Sequence, residues 1–364
     1  MNDFKAEPAL LRQSMVNAVA RVLESGWYVL GGEVKAFERE WADVCGVSNA
    51  VGVGNGMDAI EIALRGLDIG PGDEVITTSM TAFATVLAIS RAGASPVLAD
   101  INPSTGLLCP ESVKRCISPT TKAVLLVHLY GQVRDMDTWT ALCAEHQIYL
   151  LEDCAQAHLA HWKGRAAGSF GAAGMYSFYP TKNLGTVGDA GILVTGSEDL
   201  KNRAQRLRNY GQSERYFHPE SGLNSRMDEI HAAILSERLK WLDQFTDRRR
   251  KIAKQYRAGI SNNFVRLLSP PEEESCHVYH LFVVLTTERE ALQARLHELE
   301  IQSLCHYPVP VHLQQPFLQI SRDSLGLAEC ELFASHCLSI PCHPGLDDKQ
   351  VALVIEAVND FRSQ

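Results

Sequence analysis

The sequence predicts an α/β protein, with a large domain on a mostly parallel sheet followed by a smaller C-terminal α+β domain. Three observations predict it. Short apolar runs alternate with helical stretches through the first 200 residues, a long amphipathic pattern then interrupts that rhythm, and a shorter strand-and-helix pattern closes the chain. At 364 residues, 46% hydrophobic and 21% charged, the chain can bury a large core and divide into more than one domain.

The runs "NAVGVG" (49–54), "DEVITT" (73–78), "SPVLAD" (95–100), "KAVLLVHL" (122–129) and "IYLLED" (148–153) read as buried strands. Residues 57–67, 82–92, 110–116 and 136–147 read as the helices between them. Strands that are apolar throughout and separated by helices imply a parallel sheet covered on both faces. "GMYSFYP" (174–180) and "AGILVT" (190–195) add two short strands. From Arg226 to about Ala258 the spacing predicts one long helix, with Met227, Ile230, Ile234, Leu235, Leu239, Leu242 and Phe245 on one side. After the turn "SPPEEES" (269–275) come a strand "VYHLFVVL", a helix over 288–299, a second strand-like piece "QSLCHYPVP" and two more helices. The expected division is a large domain over 1–245, including the N-terminal helical segment, and a small α+β domain over 246–364.

A formal net charge of −9 argues against general nucleic-acid or anionic-membrane binding, so an acidic ligand needs a local positive site. The start "MNDFKAEPAL" lacks a signal-peptide pattern, and no apolar run approaches the roughly 20 residues of a membrane span. The ten cysteines contain no CxxC pair and read as reduced thiols, so a cytoplasmic enzyme is expected.

In an open parallel sheet, ligands collect at the carboxyl ends of the strands, and three motifs fall there. "GVGNGMDAIEIAL" is a strand, a Gly-rich turn and a helix start; its glycines at 52, 54 and 56 do not match GxGxxG, leaving a phosphate cradle and a plain tight turn both open. In "LLEDCAQAH", Asp153 ends an apolar strand, where it either caps a following helical turn or answers a positive group. Gln156 follows three residues later. In "YSFYPTKNLGTVGDAG", Ser177 precedes Lys182 by five residues, and the small and apolar setting suits a lysine that gives up its proton and forms a Schiff base. A phosphate cradle, a strand-end acid and a sheltered lysine are together the parts that hold pyridoxal 5′-phosphate, with the acid keeping the pyridine nitrogen protonated.

Over nearly its whole length the sequence resembles the DegT/DnrJ/EryC1/StrS family of pyridoxal phosphate-dependent sugar aminotransferases. The matching stretches are "SGWYVLGGEVKAFEREWA", "VGVGNGMDAIEIALRGLDIGPGDEVITTSMTAFATVLAI", "VHLYGQVRDMD", "LLEDCAQAHLAHWKGRAAGSFGAAGMYSFYPTKNLGTVGDAG", "GLNSRMDEIHAAIL" and "CHYPVPVHLQQPF". The resemblance implies the type I (aspartate aminotransferase) fold of PLP-dependent transferases and a homodimer with shared active sites. It implies that Lys182 carries the cofactor and acts as the catalytic base, that Asp153 faces the pyridine nitrogen, and that Gln156 lies near the ring oxygen. Gly56 and Met57 would give backbone N–H groups to the phosphate, Ser177 its hydroxyl, and Asn224 would reach the phosphate of the partner subunit's cofactor. The chain departs from the family at Ala82, where relatives often carry an aromatic ring over the cofactor, so Phe83 or Met80 is left to supply the stacking face.

Other candidates surround this set. His128 in "VHLYG" can touch substrate or serve as a core histidine, and the spacing of "HCLSIPCH" (336–343) fits no standard zinc pattern, so no metal is expected. His306, Tyr307 and His312 in "CHYPVPVH" belong to a loop that the family brings over the sugar, and Arg208 or Arg215 could answer a diphosphate. Tyr28, in the stretch "SGWYVLGGEVKAFE", is expected with His306, Tyr307 and Arg215 to contact substrate. That stretch most resembles members acting on 3-keto-6-deoxy sugars. The expected reaction therefore transfers the amino group of L-glutamate to a nucleotide-linked keto-sugar, giving a dTDP-3-amino-3,6-dideoxyhexose. The alternatives are a 4-keto sugar aminotransferase, a sugar dehydratase (whose members replace the lysine with histidine) and a non-catalytic regulator, whose mark would be loss of Lys182 or Asp153. Both residues are present.

Overall fold

The structure is a computed structural model that describes residues 3–362. Strands β1 (Asn49–Val53), β2 (Glu74–Thr78), β3 (Ser95–Ala99), β4 (Thr121–Val127) and β5 (Tyr149–Asp153) each lead into a helix or a turn. A short hairpin, β6 (His161–Trp162) and β7 (Arg165–Ala166), precedes β8 (Ala173–Ser177) and β9 (Gly191–Thr195). Later come β10 (Arg266–Leu267), β11 (Phe282–Leu285), β12 (Ser321–Arg322) and β13 (Cys337–Ile340). The large sheet runs β1-β9-β8-β5-β4-β2-β3-β12. Pairs β12/β3, β3/β2, β2/β4, β4/β5 and β5/β8 are parallel, and β9 lies antiparallel to both its neighbours.

The apolar strands are explained by burial on both faces. Alternate residues of β8 and β9 fall into separate cores: Tyr176, Ile192 and Val194 pack with Trp41 and Phe37 on one face, Met175 and Leu193 with Ile62 and Leu64 on the other. A third core gathers β11 and β13 with Ile252, Tyr256 and Val354 in a separate three-stranded sheet, β10-β11-β13. A fourth joins the two parts, packing Met80, Val127 and Tyr130 against Leu281, Val283 and Phe333.

The long helix expected from Arg226 to about Ala258 is two helices, Glu229–Leu239 and Leu242–Gly259, with Lys240 and Trp241 between them. The apolar pattern runs through the break because the first helix is buried on two sides and the second on one, but they serve different cores. Ala232 and Leu235 pack under the large sheet, whereas Ile252, Ala253 and Tyr256 pack on the small one. A division at residues 245 and 246 is our proposal, since the second helix carries the chain from one core to the other. The strand expected in "QSLCHYPVP" is reduced to a single bridge, Leu304 to Ser339. Pro308 and Pro310 lack the N–H a ladder needs. No helix among the described residues is long and apolar enough to cross a membrane.

Candidate active site

The parallel strands β2, β4, β5 and β8 bring their carboxyl ends to one edge of the sheet, and that edge carries the expected motifs. Asp153 closes β5 and Ser177 closes β8. One rung crosses the top of the sheet, with Gly191 opposite both Val53 and Ser177. Above it the chain turns through Asn55 into the helix Gly56–Gly66, whose start is capped by the Asn55 side chain accepting from the Asp58 N–H at 2.9 Å. The first N–H groups of such a helix have no acceptor within it and favour an anion.

The approach is close enough to demand glycine at two positions. A Cβ on Gly56 would stand 2.7 Å from the Ser177 Cβ, and one on Gly191 would stand 2.3 Å from the Asn55 carbonyl carbon and 2.6 Å from the Gly56 nitrogen. Ser177 therefore lies against the first residue of this helix, with its hydroxyl accepting from the Tyr179 N–H at 3.3 Å. Gly191→Ala is expected to cost about 1–3 kcal/mol, because its clash is with main chain rather than a movable side chain. Urea unfolding measures it, with Gly32→Ala as control, since a Cβ at Gly32 meets nothing within 4 Å.

Asp153 is buried, and its two oxygens are fixed separately: Oδ2 accepts from the Thr85 hydroxyl at 2.8 Å and Oδ1 from the Ala155 N–H at 3.1 Å. No helix starts at Asp153; Oδ1 caps the turn that follows through Ala155, while Oδ2 is held apart from that turn by Thr85. Thr85 is held in turn by Thr81 at 2.9 Å between hydroxyls. Gln156 Oε1 accepts from the Tyr130 N–H at 2.6 Å, and its Nε2 donates to the Tyr307 hydroxyl at 3.3 Å.

Lys182 lies in the loop after β8, where its own N–H donates to the Tyr179 carbonyl at 2.9 Å and the Thr186 N–H closes the loop onto Phe178 at 2.8 Å. The residue as a whole is half-buried, with the amine at its dry end. Burial pulls the amine below the ordinary lysine range, and the Asp153 charge works against that shift. Around it the histidines stay neutral: burial first, then the Lys182 charge, lowers His306 to about 4 and His158 to about 3.

His306 and Tyr307 are half-buried beside this group. His306 Nδ1 pairs with the Ser339 hydroxyl at 2.9 Å, and its carbonyl accepts from the Tyr130 hydroxyl at 2.5 Å. Burial, and secondarily Asp153, pushes the Tyr307 phenol up to about 12, so it stays protonated. Phe83 opens the helix Phe83–Arg91 with its ring 37% exposed, 5.2 Å from the Phe317 ring.

Several expected contacts are not brought here. Met80 is fully buried in the core that joins the two parts, so it offers no stacking face. His312 is buried between the Ser79 hydroxyl at 2.7 Å and Glu331 at 3.0 Å, which makes it a tie between segments. Arg208 is buried against Glu38 at 2.5 Å and the Gly52 carbonyl at 2.7 Å, and is spent there. His128 is a core histidine, paired with Glu152 at 2.9 Å. With Cys154 these two form the one metal-like trio among the described residues, but Glu152 already accepts from the N–H groups of Gly168, Phe170 and Gly171. Tyr28, Arg215 and Asn224 are exposed on this chain; among the described residues Arg215 donates to the Tyr216 hydroxyl and Asn224 accepts from Arg226, and the contact expected of Asn224 is with a partner subunit.

Thr85, Tyr130 and Gly191 escaped the sequence reading. A threonine on a helix or a glycine opening a strand has no local signal that separates a site role from an ordinary one. Thr85 sits inside "TAFAT", where its hydroxyl neighbour Thr81, four residues earlier, is the only hint.

The model of the DegT/DnrJ/EryC1/StrS aminotransferase family matches residues 10–359. A Streptomyces venezuelae relative, dTDP-3-amino-3,4,6-trideoxy-alpha-D-glucose transaminase, is 43% identical over 99% of this chain and 95% of its own length. A relative from Aneurinibacillus thermoaerophilus, dTDP-3-amino-3,6-dideoxy-alpha-D-galactopyranose transaminase, is 44% identical over 96% of each chain. Among solved structures, S. venezuelae DesV in complex with a ketimine intermediate superposes with a TM-score of 0.95 at 43% identity, over 98% of this chain and 96% of that one.

Proposed function

The chain belongs to the DegT/DnrJ/EryC1/StrS aminotransferase family, and from that premise we propose that it moves the amino group of L-glutamate onto the keto carbon of a nucleotide-linked deoxysugar. The acceptor is a dTDP-3-keto-6-deoxyhexose and the product a dTDP-3-amino-3,6-dideoxyhexose. The enzyme is a transaminase that uses pyridoxal 5′-phosphate. The observation that carries the reading is the grouping at one sheet edge of a helix-start cradle, a buried carboxylate and a dry lysine. Amination at C3 is supported by the two relatives at 43% and 44% identity, both of which carry a 3-amino name.

The residues fit the cofactor. The close approach of Gly56 to Ser177 sets that serine against the start of a helix, whose first N–H groups suit a phosphate. The N–H groups of Gly56 and Met57 and the Ser177 hydroxyl would hold the phosphate, and Asp153, fixed by Thr85 and Ala155, would keep a proton on the pyridine nitrogen. Gln156 would lie near the ring oxygen and Phe83 near the ring face. When bound, the cofactor supplies an electron sink for the carbon that loses its proton. Lys182 would carry the cofactor, and its Nζ, with a proton affinity lowered by burial, takes that proton from the donor α-carbon. His306, held neutral, and Tyr307, held protonated, offer uncharged hydrogen bonds to the sugar. Tyr28 and Arg215, which this chain does not bring to its own site, would meet the substrate across the dimer.

The functional unit in this reading is a homodimer in the cytoplasm, with Asn224 completing the partner's phosphate site. Its exposed segment also carries Tyr216 and Phe217, 81% and 65% exposed, which a second chain would cover. Mixing Lys182→Ala subunits with Asn224→Asp subunits tests this. One site of each mixed dimer then collects both lesions and the other neither, so activity is expected to return toward half of wild type per dimer. Mixed dimers as inactive as their parents, once exchange is verified, would mean that Asn224 serves its own chain.

Incubation with ¹⁵N-labelled L-glutamate and a panel of 3-keto and 4-keto nucleotide sugars tests the reaction. The expected product carries the label at C3 with release of 2-oxoglutarate; label at C4 only would assign the 4-keto reaction, and loss of water without label would assign a dehydratase.

A further inference from the structure

A cavity of about 370 Å³ has Lys182 in its wall. Lys182 and Asn183 form part of its wall, but Gly56, Asp153, Gln156, Ser177 and Tyr307 do not. The rest comes from Pro180, from Arg238 on the helix Glu229–Leu239, from the helix Leu242–Gly259, from the turn at His343–Gly345 and from the N-terminal segment Asp3–Pro8, which brings the carboxylates of Asp3 and Glu7.

Three guanidiniums line this cavity, and two are neutralised. Arg238 pairs with Glu7 at 2.7 Å, and Arg248 pairs with Asp348 at 2.7 Å. Arg249 is 4% exposed and has no carboxylate partner among the described residues. Its Nη1 alone donates, to the carbonyls of Tyr279 at 3.2 Å, His280 at 3.4 Å and Cys342. The Nε and Nη2 edge has no acceptor among the described residues. Arg249 is itself one of the residues that line the cavity, which is the nearest open space to that edge. A buried cation answered only by carbonyls is costly, and two parallel N–H groups on one guanidinium edge match the two oxygens of a carboxylate.

We propose that this cavity is a binding site for a small carboxylate, held on the Nε–Nη2 edge of Arg249 and distinct from the cofactor cleft. His343 lies in the same wall, kept neutral by burial and then by Arg249, so it adds a hydrogen-bonding group rather than a competing charge. A bound carboxylate places a negative charge near Lys182 and raises the proton affinity that burial lowers. The site stands on this geometry and not on the identity of the acceptor sugar.

The test uses the holoenzyme, with glutarate as probe and orthophosphate as a parallel arm, followed by isothermal titration. Glutarate resembles the donor and is expected to bind saturably at two sites per chain, the cofactor cleft and this cavity; the effects that follow are those on the second. Arg249→Gln is expected to weaken it by about tenfold or more, since a charge-assisted bidentate pair is lost. Gln244→Glu, on the exposed part of the same wall, is expected to weaken it by about threefold through like-charge repulsion, an effect that falls with added salt. Should Arg249→Gln fail to fold, Gln244→Glu decides. No second saturable site, or a second site that the folded variants leave unchanged, overturns the proposal. Tighter binding of orthophosphate, lost in the same variants, overturns its assignment to a carboxylate.

Discussion

Lys182→Ala is expected to lower turnover by at least about a thousandfold, while the folded protein still retains its cofactor. In the proposed mechanism two functions leave with the amine: the link to the cofactor and the base that moves a proton at the donor α-carbon. The fold should survive because the loop is tied by main chain, through Lys182 N–H to Tyr179 and Thr186 N–H to Phe178. Burial already opposes the lysine charge, so its loss removes an unfavourable term rather than a stabilising one. Turnover within tenfold of wild type, measured with L-glutamate as donor, would remove Lys182 from the chemistry.

Asp153→Asn is expected to lower the rate by roughly a hundred- to a thousandfold, the range seen when one preorganised electrostatic partner is lost. The amide keeps the shape of the carboxylate, and the Thr81–Thr85 hydroxyl pair can turn to receive it. Unfolding midpoints should therefore stay close to wild type while the charge proposed to hold the ring nitrogen protonated is gone. A variant that unfolds early and turns over normally when folded would make Asp153 a structural residue only.

The parts of the fold that are local in sequence were legible. Apolar strands such as Ala123–Val127 announce burial on both faces, and Gly56 sits within a strand–turn–helix that can be read from adjacent residues. What could not be read depends on partners far along the chain. Arg208 looks like a free cation in a basic loop, yet its counter-ion Glu38 lies 170 positions earlier. His312 looks like a loop histidine over a site, yet Ser79, 233 positions earlier, takes its ring nitrogen. The continuous helix failed for a related reason: two helices whose apolar patterns run on look like one until their separate cores are known. Gly191 was invisible as a site residue because the main chain it accommodates, at Asn55 and Gly56, arrives from the other end of the large domain.

The most direct measurement is peptide mapping after borohydride reduction of the purified holoenzyme. Lys182 is the lysine assigned to carry pyridoxal 5′-phosphate, so reduction should bleach the yellow protein and leave the cofactor mass on the peptide that contains Lys182. The cofactor mass on any other lysine, or a bleached protein with no modified peptide, would contradict the account.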